Sequence, residues 1–194
     1  MACILSKGIK LDCSNNTGGV EAIWITAVDD IATLTVNEVD GAPASGDGTV
    51  TALTMDASKS FLKFETLRNS ISFEQPSSIN LENGSTFYTH TIQFQIPKQD
   101  VTKRNKIYQL AAGQQKVLVI VKDMNGQYWL SGVQSDGSVA VAHQVSVANA
   151  MTGKAKGDMN GYDVTLTAEL NSLAFSLSST LATGVIADGD STWA

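Results

Sequence analysis

The chain has 194 residues, of which 43% are hydrophobic and only 16% charged, and its formal net charge is −6. This length and apolar content suit one domain of moderate size with a substantial core. The acidic balance argues against a general nucleic-acid binder. Thr, Ser, Asn, Gln and Gly replace the missing charge, which is typical of β-rich surfaces that face other subunits. No run of 18 apolar residues occurs, so we predict no membrane partner.

The amino terminus predicts an arm that leads into the first strand. Its first ten residues, MACILSKGIK, lack a basic segment followed by a long apolar one, so we expect a protein made in a cytosol. The arm covers residues 1–19 and ends in a Gly/Asn-rich run. Cys3 and Cys13 have no His nearby, which excludes a zinc pattern. We interpret them as reduced thiols; a disulfide in an oxidising compartment is the alternative.

Alternating apolar and polar residues then predict a single, mainly β domain over residues 1–194. The first strand, 20–26, contains Trp24. Gly41, Pro43, Gly46 and Gly48 forbid regular structure over 37–48, so we predict a long loop there, and loops of that length are often functional. A second loop is expected over 77–85. The remaining strands of this half are predicted over 31–36, 49–55, 61–66 and 71–75.

The clearest pattern is a long strand over 86–96, which Pro97 ends. Alternate side chains of a strand point to opposite faces. One face is polar and uncharged, and the other is mostly apolar, so we expect the second to be buried. The polar face consists of Thr89, Thr91, Gln93 and Gln95; the apolar face consists of Tyr88, His90, Ile92, Phe94 and Ile96.

A short helix is predicted over residues 99–112, capped by Asp100 and followed by Gly113. Its expected apolar stripe is Val101, Ile107, Tyr108, Leu110 and Ala111. Its expected solvent side carries Lys103, Arg104 and Lys106. Residues 98–122 carry six basic groups and one acidic group, between flanks with net charges of −6 and −5. Such an island is typical of a solvated helix face, a nucleic-acid contact or a contact with an acidic surface of a neighbouring copy.

The apolar run 117–121 predicts a strand covered on both faces. Asn125-Gly126 predicts a two-residue type I′ turn before a return strand at 127–132. Strands are further expected around 139–147 and over 162–170, and the apolar phase then changes, which requires a bulge or turn near Asn171-Ser172. The tail 178–194 is poorly patterned except for Trp193.

The sequence contains no recognisable catalytic or metal-binding motif. His90 and His143 are its two histidines, and no Gly-x-Ser-x-Gly motif accompanies them. Asp-Met-Asn-Gly occurs at 123–126 and 158–161 but lacks the other acidic positions of a calcium loop, so we predict turns. We therefore expect no cofactor and no enzymatic activity.

Two segments, ENGSTFYTHTIQFQIPK and KVLVIVKDMNGQYWLSG, with the short helix between them, resemble the tail tube (major tail) proteins of tailed bacteriophages. The opening Cys13…Gly18-Gly19-Val20…Trp24 is similar to the start of several phage structural proteins. The first resemblance covers roughly 61–132, and we expect the strands near 162–177 to complete it. The resemblance implies a β-sandwich or half-barrel with one flanking helix. It also implies that six subunits form a ring, that the rings stack and that DNA passes through the lumen.

On this resemblance we expect a structural protein of the virion tail, assembled in the host bacterial cytoplasm. Its partners would be copies of itself, other phage tail proteins and DNA in transient, non-specific passage. The polar set Thr89, Thr91, Gln93 and Gln95 would face the lumen. Contacts within or between rings would involve Asp40, Gly41, Pro43, Asp47, Lys103, Arg104 and Lys106. The basic helix departs from a channel wall, so we place it outside the lumen.

Other functions stay open at this point. One is another virion β-protein, such as a head decoration, neck or tail-completion protein. A protein of another class, a secreted carbohydrate-binding or adhesin sandwich, would require an export route that the sequence does not show. An enzyme is the weakest interpretation.

Overall fold

The computed structural model describes residue 9 and residues 16–37, 47–112 and 114–187. In this part of the chain, two β-sheets and two α-helices form. The strands in chain order are β1 (Val20–Ala27), β2 (Ile31–Asn37), β3 (Thr49–Met55), β4 (Phe61–Phe64), β5 (Ile71–Glu74), β6 (Ser77–Asn80), β7 (Ser85–Pro97), β8 (Val117–Asp123), β9 (Tyr128–Ser131), β10 (Gln144–Met151), β11 (Gly161–Leu170), β12 (Phe175–Leu177) and β13 (Ile186–Ala187). The helices are α1 (Val101–Ala112) and α2 (Ser179–Val185).

The large sheet has eight strands in the order β13-β4-β1-β8-β9-β12-β3-β2. The small sheet has the order β10-β11-β7-β5, and β6 pairs with the free end of β7 beyond β5. Neither sheet closes into a barrel. The predicted β-sandwich with a short helix is therefore confirmed.

The inner faces of the two sheets enclose one hydrophobic core. Strands β7 and β11 are antiparallel neighbours from Gly161↔Pro97 to Leu170↔Tyr88, so their apolar side chains form matched rows on one face. The alternation predicted for the long strand is confirmed, because the side chains of His90, Ile92, Phe94 and Ile96 are buried. The core consists of Ile23, Ile25, Ile92, Phe94, Ile96, Ile107, Leu110, Val117, Val119, Val121, Tyr162, Val164 and Leu166.

A second core lies on the other face of the large sheet. Strand β8 contributes to both, because Val119 packs in the first core and Leu118 and Ile120 pack in the second. The prediction that residues 117–121 are covered on both faces is thus confirmed. The side chains of the second core are Trp24, Val50, Leu53, Phe61, Leu118, Ile120, Leu130, Val133, Ala142, Phe175, Leu177, Ala182 and Val185.

Helix α2, which the sequence did not predict, shows that the large sheet is curved. It contacts both β3 and β13, which lie six strand positions apart in the sheet order. Six flat strand spacings would measure about 29 Å, whereas a seven-residue helix is only about 10 Å long. The sheet must therefore bend around α2. Ser178 caps the helix by accepting a hydrogen bond from the Leu181 N–H at 3.3 Å.

Helix α1 begins at Val101, two residues later than predicted. The predicted cap is confirmed, because the Asp100 carboxylate accepts a hydrogen bond from the Lys103 N–H at 2.8 Å. Its apolar stripe is narrower than predicted. Ile107 and Leu110 are buried, but Val101 and Tyr108 are exposed. Only the turn of α1 that carries Ile107 and Leu110 contacts the core. Val101, at the first position of the helix, lies beyond the edge of the core.

The hairpin between β8 and β9 differs from the predicted type I′ turn. Lys122 pairs with Tyr128, and the Asp123 N–H donates a hydrogen bond to the Gln127 carbonyl oxygen at 3.0 Å. The loop therefore has three residues. Gly126 has a φ of 84°, while Asn125 is not among the residues with positive φ. This is the three-residue loop in which only the last position is left-handed. The Asp123 carboxylate fixes it by accepting hydrogen bonds from the Asn125 and Gln127 N–H groups, both at 2.9 Å.

Two further predictions concern strand ends. The loop expected over 77–85 is confined to residues 81–84, because β6 pairs with the start of β7 on either side of it and forms a projecting hairpin. The turn expected near Asn171-Ser172 is confirmed, since the chain bends there between β11 in the small sheet and β12 in the large sheet. The phase of the apolar residues changes because the chain changes sheets.

The core position of Ile92 can be tested against its neighbour Gln93. Ile92 has no exposed surface, so Ile92→Asp buries an unpaired carboxylate. The cost should be several kcal/mol, a large part of a typical stability of about 5–15 kcal/mol. Gln93→Lys changes an exposed residue beside Asp163 and should cost within about 0.5 kcal/mol.

Urea unfolding followed by circular dichroism checks this pair of variants. We expect a cooperative transition for Gln93→Lys and none for Ile92→Asp. A folded Ile92→Asp protein with an unfolded Gln93→Lys protein would mean that the two faces of β7 are reversed.

Candidate functional site on the polar face of the small sheet

The outer face of the small sheet is covered by no other element of the described chain, and β7 runs through its middle. Thr89, Thr91 and Gln95 are half-buried there and Gln93 is exposed. None of the four belongs to either hydrophobic core. Adjacent side chains on a sheet partly cover one another, which accounts for the intermediate exposure of three of them.

The strand register extends this polar face across the whole sheet, because directly paired residues share a face. Gln95, Gln93, Thr91 and Thr89 pair with Asp163, Thr165, Thr167 and Glu169 of β11. Strand β10 adds side chains on one side and β5 on the other. The polar face therefore consists of Ser72, Glu74, Thr89, Thr91, Gln93, Gln95, Gln144, Val147, Asn149, Asp163, Thr165, Thr167 and Glu169.

The polar face is acidic, and these thirteen residues include no lysine or arginine. Its three carboxylates are Glu74, Asp163 and Glu169. Gln93 Nε2 lies 3.2 and 3.3 Å from the two oxygens of Asp163, and donates to that carboxylate across the strand pair. A surface with this composition repels phosphates and offers them no cation to bind.

Sequence analysis found only the β7 part of this face. The alternation in 162–170 was visible, but alternation does not say which residue lies opposite which. The pairing of Asp163 with Gln95 joins residues far apart in the chain, and only the folded register shows it.

The hairpin formed by β6 and the start of β7, residues 77–88, projects beyond the sandwich and exposes apolar side chains. Ile79 is 62% exposed, Leu81 at the tip 92% and Phe87 40%. Ile79 pairs with Thr86 and Ser78 with Phe87, so Ile79 and Phe87 point to opposite sides of the hairpin. Both sides of this element thus present apolar surface to solvent.

The basic residues of α1 do not all lie on the solvent side. Arg104 and Lys106 are exposed, and the Arg104 guanidinium lies 5.8 Å from the centre of the Tyr108 ring. Lys103 is different: its Nζ donates to the carbonyl oxygen of Pro97 at 2.5 Å and lies 3.8 Å from Asp100 Oδ2. The prediction for Lys103 was wrong because its long side chain reaches back to the end of β7, where carbonyl groups attract a cation.

The other residues predicted as contacts lie in or beside the long loop. Asp40, Gly41 and Pro43 are outside the described residues, as is most of the amino-terminal arm. Asp47 is half-buried in the turn before β3. The adjacent Gly48 donates to the Asn37 carbonyl at 2.9 Å and accepts from the Ser176 N–H at 2.8 Å, so this end of the loop is bonded to the large sheet.

Both Asp-Met-Asn-Gly segments use their aspartate to hold a turn. Asp123 binds backbone N–H groups of its hairpin. Asp158 Oδ2 accepts from the N–H groups of Lys154 and Ala155 at 2.7 and 2.8 Å, and these bonds lower the pKa of the carboxyl. Across the described ranges, no group of three His, Cys, Asp or Glu side chains is placed to hold a metal ion.

A cleft of about 960 Å³ opens between the sheets beside β5. Three of its polar lining residues are engaged within the subunit. Asp123 Oδ2 accepts from Trp129 Nε1 at 3.2 Å, Gln75 Oε1 from the Ala174 N–H at 2.7 Å, and Asn171 Oδ1 from the Ser135 N–H at 2.9 Å. These hydrogen bonds hold the rim of the cleft together.

The fold also brings together a serine and the two histidines, an arrangement that no sequence motif indicates. Ser131 Oγ lies 2.7 Å from His90 Nδ1 and 2.8 Å from His143 Nε2. The distances resemble those of a nucleophile and its base, but all three residues have no exposed surface. A substrate cannot reach Ser131 in this conformation, so the cluster is part of the core.

Neither α-helix in the described ranges is long and apolar enough to cross a membrane. Comparison with known proteins finds no matching family, no matching curated protein and no matching solved structure.

Proposed function

We propose that this protein is the subunit of a phage tail tube, a channel of stacked rings through which DNA leaves the virion. The observation that carries the proposal is the polar face, which is acidic, has no basic residue and crosses four strands. Hydrated DNA can slide past uncharged amides and hydroxyls, and three carboxylates in each subunit prevent adhesion.

The two edges of the small sheet support assembly into rings. Strand β10 forms one edge, and β5 with β6 forms the other. Edge strands carry unpaired backbone groups that favour pairing with another chain. Joining the β10 edge of one subunit to the β5 edge of the next would satisfy both edges and make the polar faces continuous around a lumen. Such a head-to-tail contact closes into a ring when the rotation per subunit allows it.

The projecting hairpin supports contact between copies. Ile79 and Leu81 expose apolar surface at the end of a two-stranded element that has no core of its own. A pair of strands is marginally stable alone, so we expect a neighbouring subunit to cover this hairpin in the assembled tube.

Electron microscopy combined with thiol labelling tests the proposed function. Cys3 and Cys13 are first replaced by Ser, and a single cysteine is then introduced at Thr91 on the polar face or at Gln109 on the exposed side of α1. We expect rings or tubes in the images. In dispersed subunits both cysteines should react with a bulky maleimide, and after assembly only Gln109→Cys should still react.

Two results would contradict the proposal. One is a monomer at every concentration, with no polymer in the images. The other is a tube in which Thr91→Cys remains as reactive as Gln109→Cys, because the polar face would then lie outside the lumen.

The electrostatic part of the proposal predicts the effect of Gln93→Lys with Gln95→Lys. The three carboxylates of the polar face give −3, and two lysines change that to −1 and add cations at every subunit of the tube. We expect normal assembly but slower genome ejection that recovers as salt is raised, because the lysines attract phosphates. The matched control, Thr102→Lys with Gln109→Lys on α1, adds the same charge outside the lumen and should leave the ejection rate unchanged. Equal rates for both pairs would argue against DNA passing this face.

The hairpin predicts a different effect for Ile79→Ser with Leu81→Ser. Both side chains are mostly exposed in the subunit, so the folded stability should change by less than about 0.5 kcal/mol. Tube formation, measured by sedimentation, should be lost because the apolar contact with the neighbour is removed. Met124→Ser, at an exposed turn of the large sheet, is the control and should assemble normally. Unimpaired tubes from the hairpin variant would show that this element lies outside the subunit contacts.

A further inference from the structure

The three residues His90, Ser131 and His143 connect the two sheets through hydrogen bonds. His90 is on β7 of the small sheet, Ser131 is on β9 of the large sheet, and His143 immediately precedes β10. His90 Nε2 also lies 3.0 Å from the carbonyl oxygen of Ser172, in the bend between β11 and β12. The cluster therefore lies at a place where both sheets and the chain crossing between them meet.

The hydrogen-bond partners fix where each proton lies. A carbonyl oxygen only accepts, so the proton of neutral His90 must be on Nε2, and His90 Nδ1 accepts. Ser131 Oγ must then donate its proton to His90 Nδ1 and accept from His143 Nε2–H. His143 Nδ1 is left as an unprotonated acceptor, and it is buried with no hydrogen-bond partner in the described chain.

Protonation of either imidazole breaks this arrangement. A proton on His90 Nδ1 would face the Ser131 hydroxyl, which already accepts from His143 and would lose the acceptor for its own proton. A proton on His143 Nδ1 would be a charged, buried donor with no acceptor. In the neutral network every donor of the cluster has an acceptor and the His143 Nδ1 lone pair is unmatched, whereas both charged forms leave a buried donor without an acceptor.

Among the described residues, no acidic side chain compensates the charge. The groups around the cluster are the Phe73 ring, 6.0 Å from the His90 ring, Ala168 opposite His90, and Leu118 and Val117 beside Gly132 and His143. Tyr88 lies on the same face of β7. The nearest charged residues along the surrounding elements are all exposed: Glu74, Lys116, Asp136 and Glu169.

We propose that His90, Ser131 and His143 form a proton-sensitive joint, which fixes the small sheet to the large sheet at neutral pH and loosens it in mild acid. The joint requires only the fold and does not rest on the proposed function. Gly132, next to Ser131, has a φ of 104°, and a Cβ there would lie 2.7 Å from Leu118 Cδ2 and 3.2 Å from His143 Cδ2. The backbone at the joint is thus packed directly against the imidazole, which leaves it little room to turn toward another partner.

Burial lowers the pKa of His90 from 6.5 to about 4, against the opposing effect of the bond to Ser172. Burial and then the nearby His90 lower the pKa of His143 to about 3. The unfolded chain therefore binds more protons than the folded chain below about pH 6.5, so stability is fully present above that pH and falls as the pH falls. At pH 5, each histidine should raise the equilibrium constant for opening about 30-fold, and both together about 1000-fold.

Hydrogen exchange of the full-length protein at pH 7.5 and pH 5.0, corrected for intrinsic rates, tests the joint. We expect amides of β5, β7 and β11 to lose protection in acid by up to the factors given above, while those of β2, β3 and α2 lose much less. In the variant His90→Gln with His143→Gln, neither side chain can be protonated, so the acid-induced loss should disappear. Equal loss in both sheets, no loss in the native protein, or an undiminished loss in the double variant would each overturn the proposal.

A second measurement covers the case in which the double variant does not fold. The chain has two histidines, so long-range ¹H–¹⁵N spectra of the native protein identify both tautomers directly. We expect Nε2–H on both rings and no titration between pH 7.5 and pH 5.0. Ser131→Ala should lower the protection of β7 at pH 7.5, because His143 Nε2–H loses its acceptor. Titration of either ring near pH 6.5, or an Nδ1–H tautomer, would rule the joint out.

Discussion

The antiparallel pairing of β7 with β11 is the constraint on which the rest of this structure depends. Ten residue pairs set the two strands in register, and a strand pair in fixed register has two faces with fixed compositions. Ile92, Phe94, Val164 and Leu166 are all fully buried on one of them. Because that face packs on β8 and β1, the Thr, Gln, Asp and Glu side chains of the same strands lie on the opposite, outer face of the sheet.

The same constraint explains why acidic, basic and apolar side chains are exposed on different parts of the surface. The polar face is acidic and lacks cations, whereas Arg104 and Lys106 are exposed on α1, which packs against the core through Ile107 and Leu110. Apolar surface is exposed on the hairpin of residues 77–88, where β7 continues past the end of the sandwich. A single long strand thus contributes to the core, the polar face and the projecting hairpin.

Packing between the sheets is apolar along most of β7 and changes at His90. A buried hydroxyl and two buried imidazoles are acceptable there because each donor has an acceptor. Of the polar side-chain atoms in this cluster, His143 Nδ1 alone has no partner among the described residues, and a lone pair is less costly to bury than a donor. The joint therefore adds a directional contact to a core whose other side chains are mostly apolar. It does so where the chain crosses from the small sheet to the large one.

Local sequence patterns by themselves determined the long two-faced strand, the doubly buried strand at 117–121, the Asp100 cap and the change of phase after Leu170. Each of these features depends on the local order of apolar and polar residues, on a turn, or on one side chain that binds the backbone a few residues away. The contacts between distant segments were decided by the tertiary structure, because a local pattern does not specify them. The pairing of Asp163 with Gln95, the meeting of Ser131 with His90 and His143, and the formation of α2 depend on contacts between residues distant in the chain. The prediction for Lys103 failed for a different reason, because the spacing of charges along a helix does not show that the Lys103 Nζ reaches back to the carbonyl oxygen of Pro97 at the end of β7. Register and curvature are set by how two sheets bury their apolar faces together, and no single segment of the sequence specifies that.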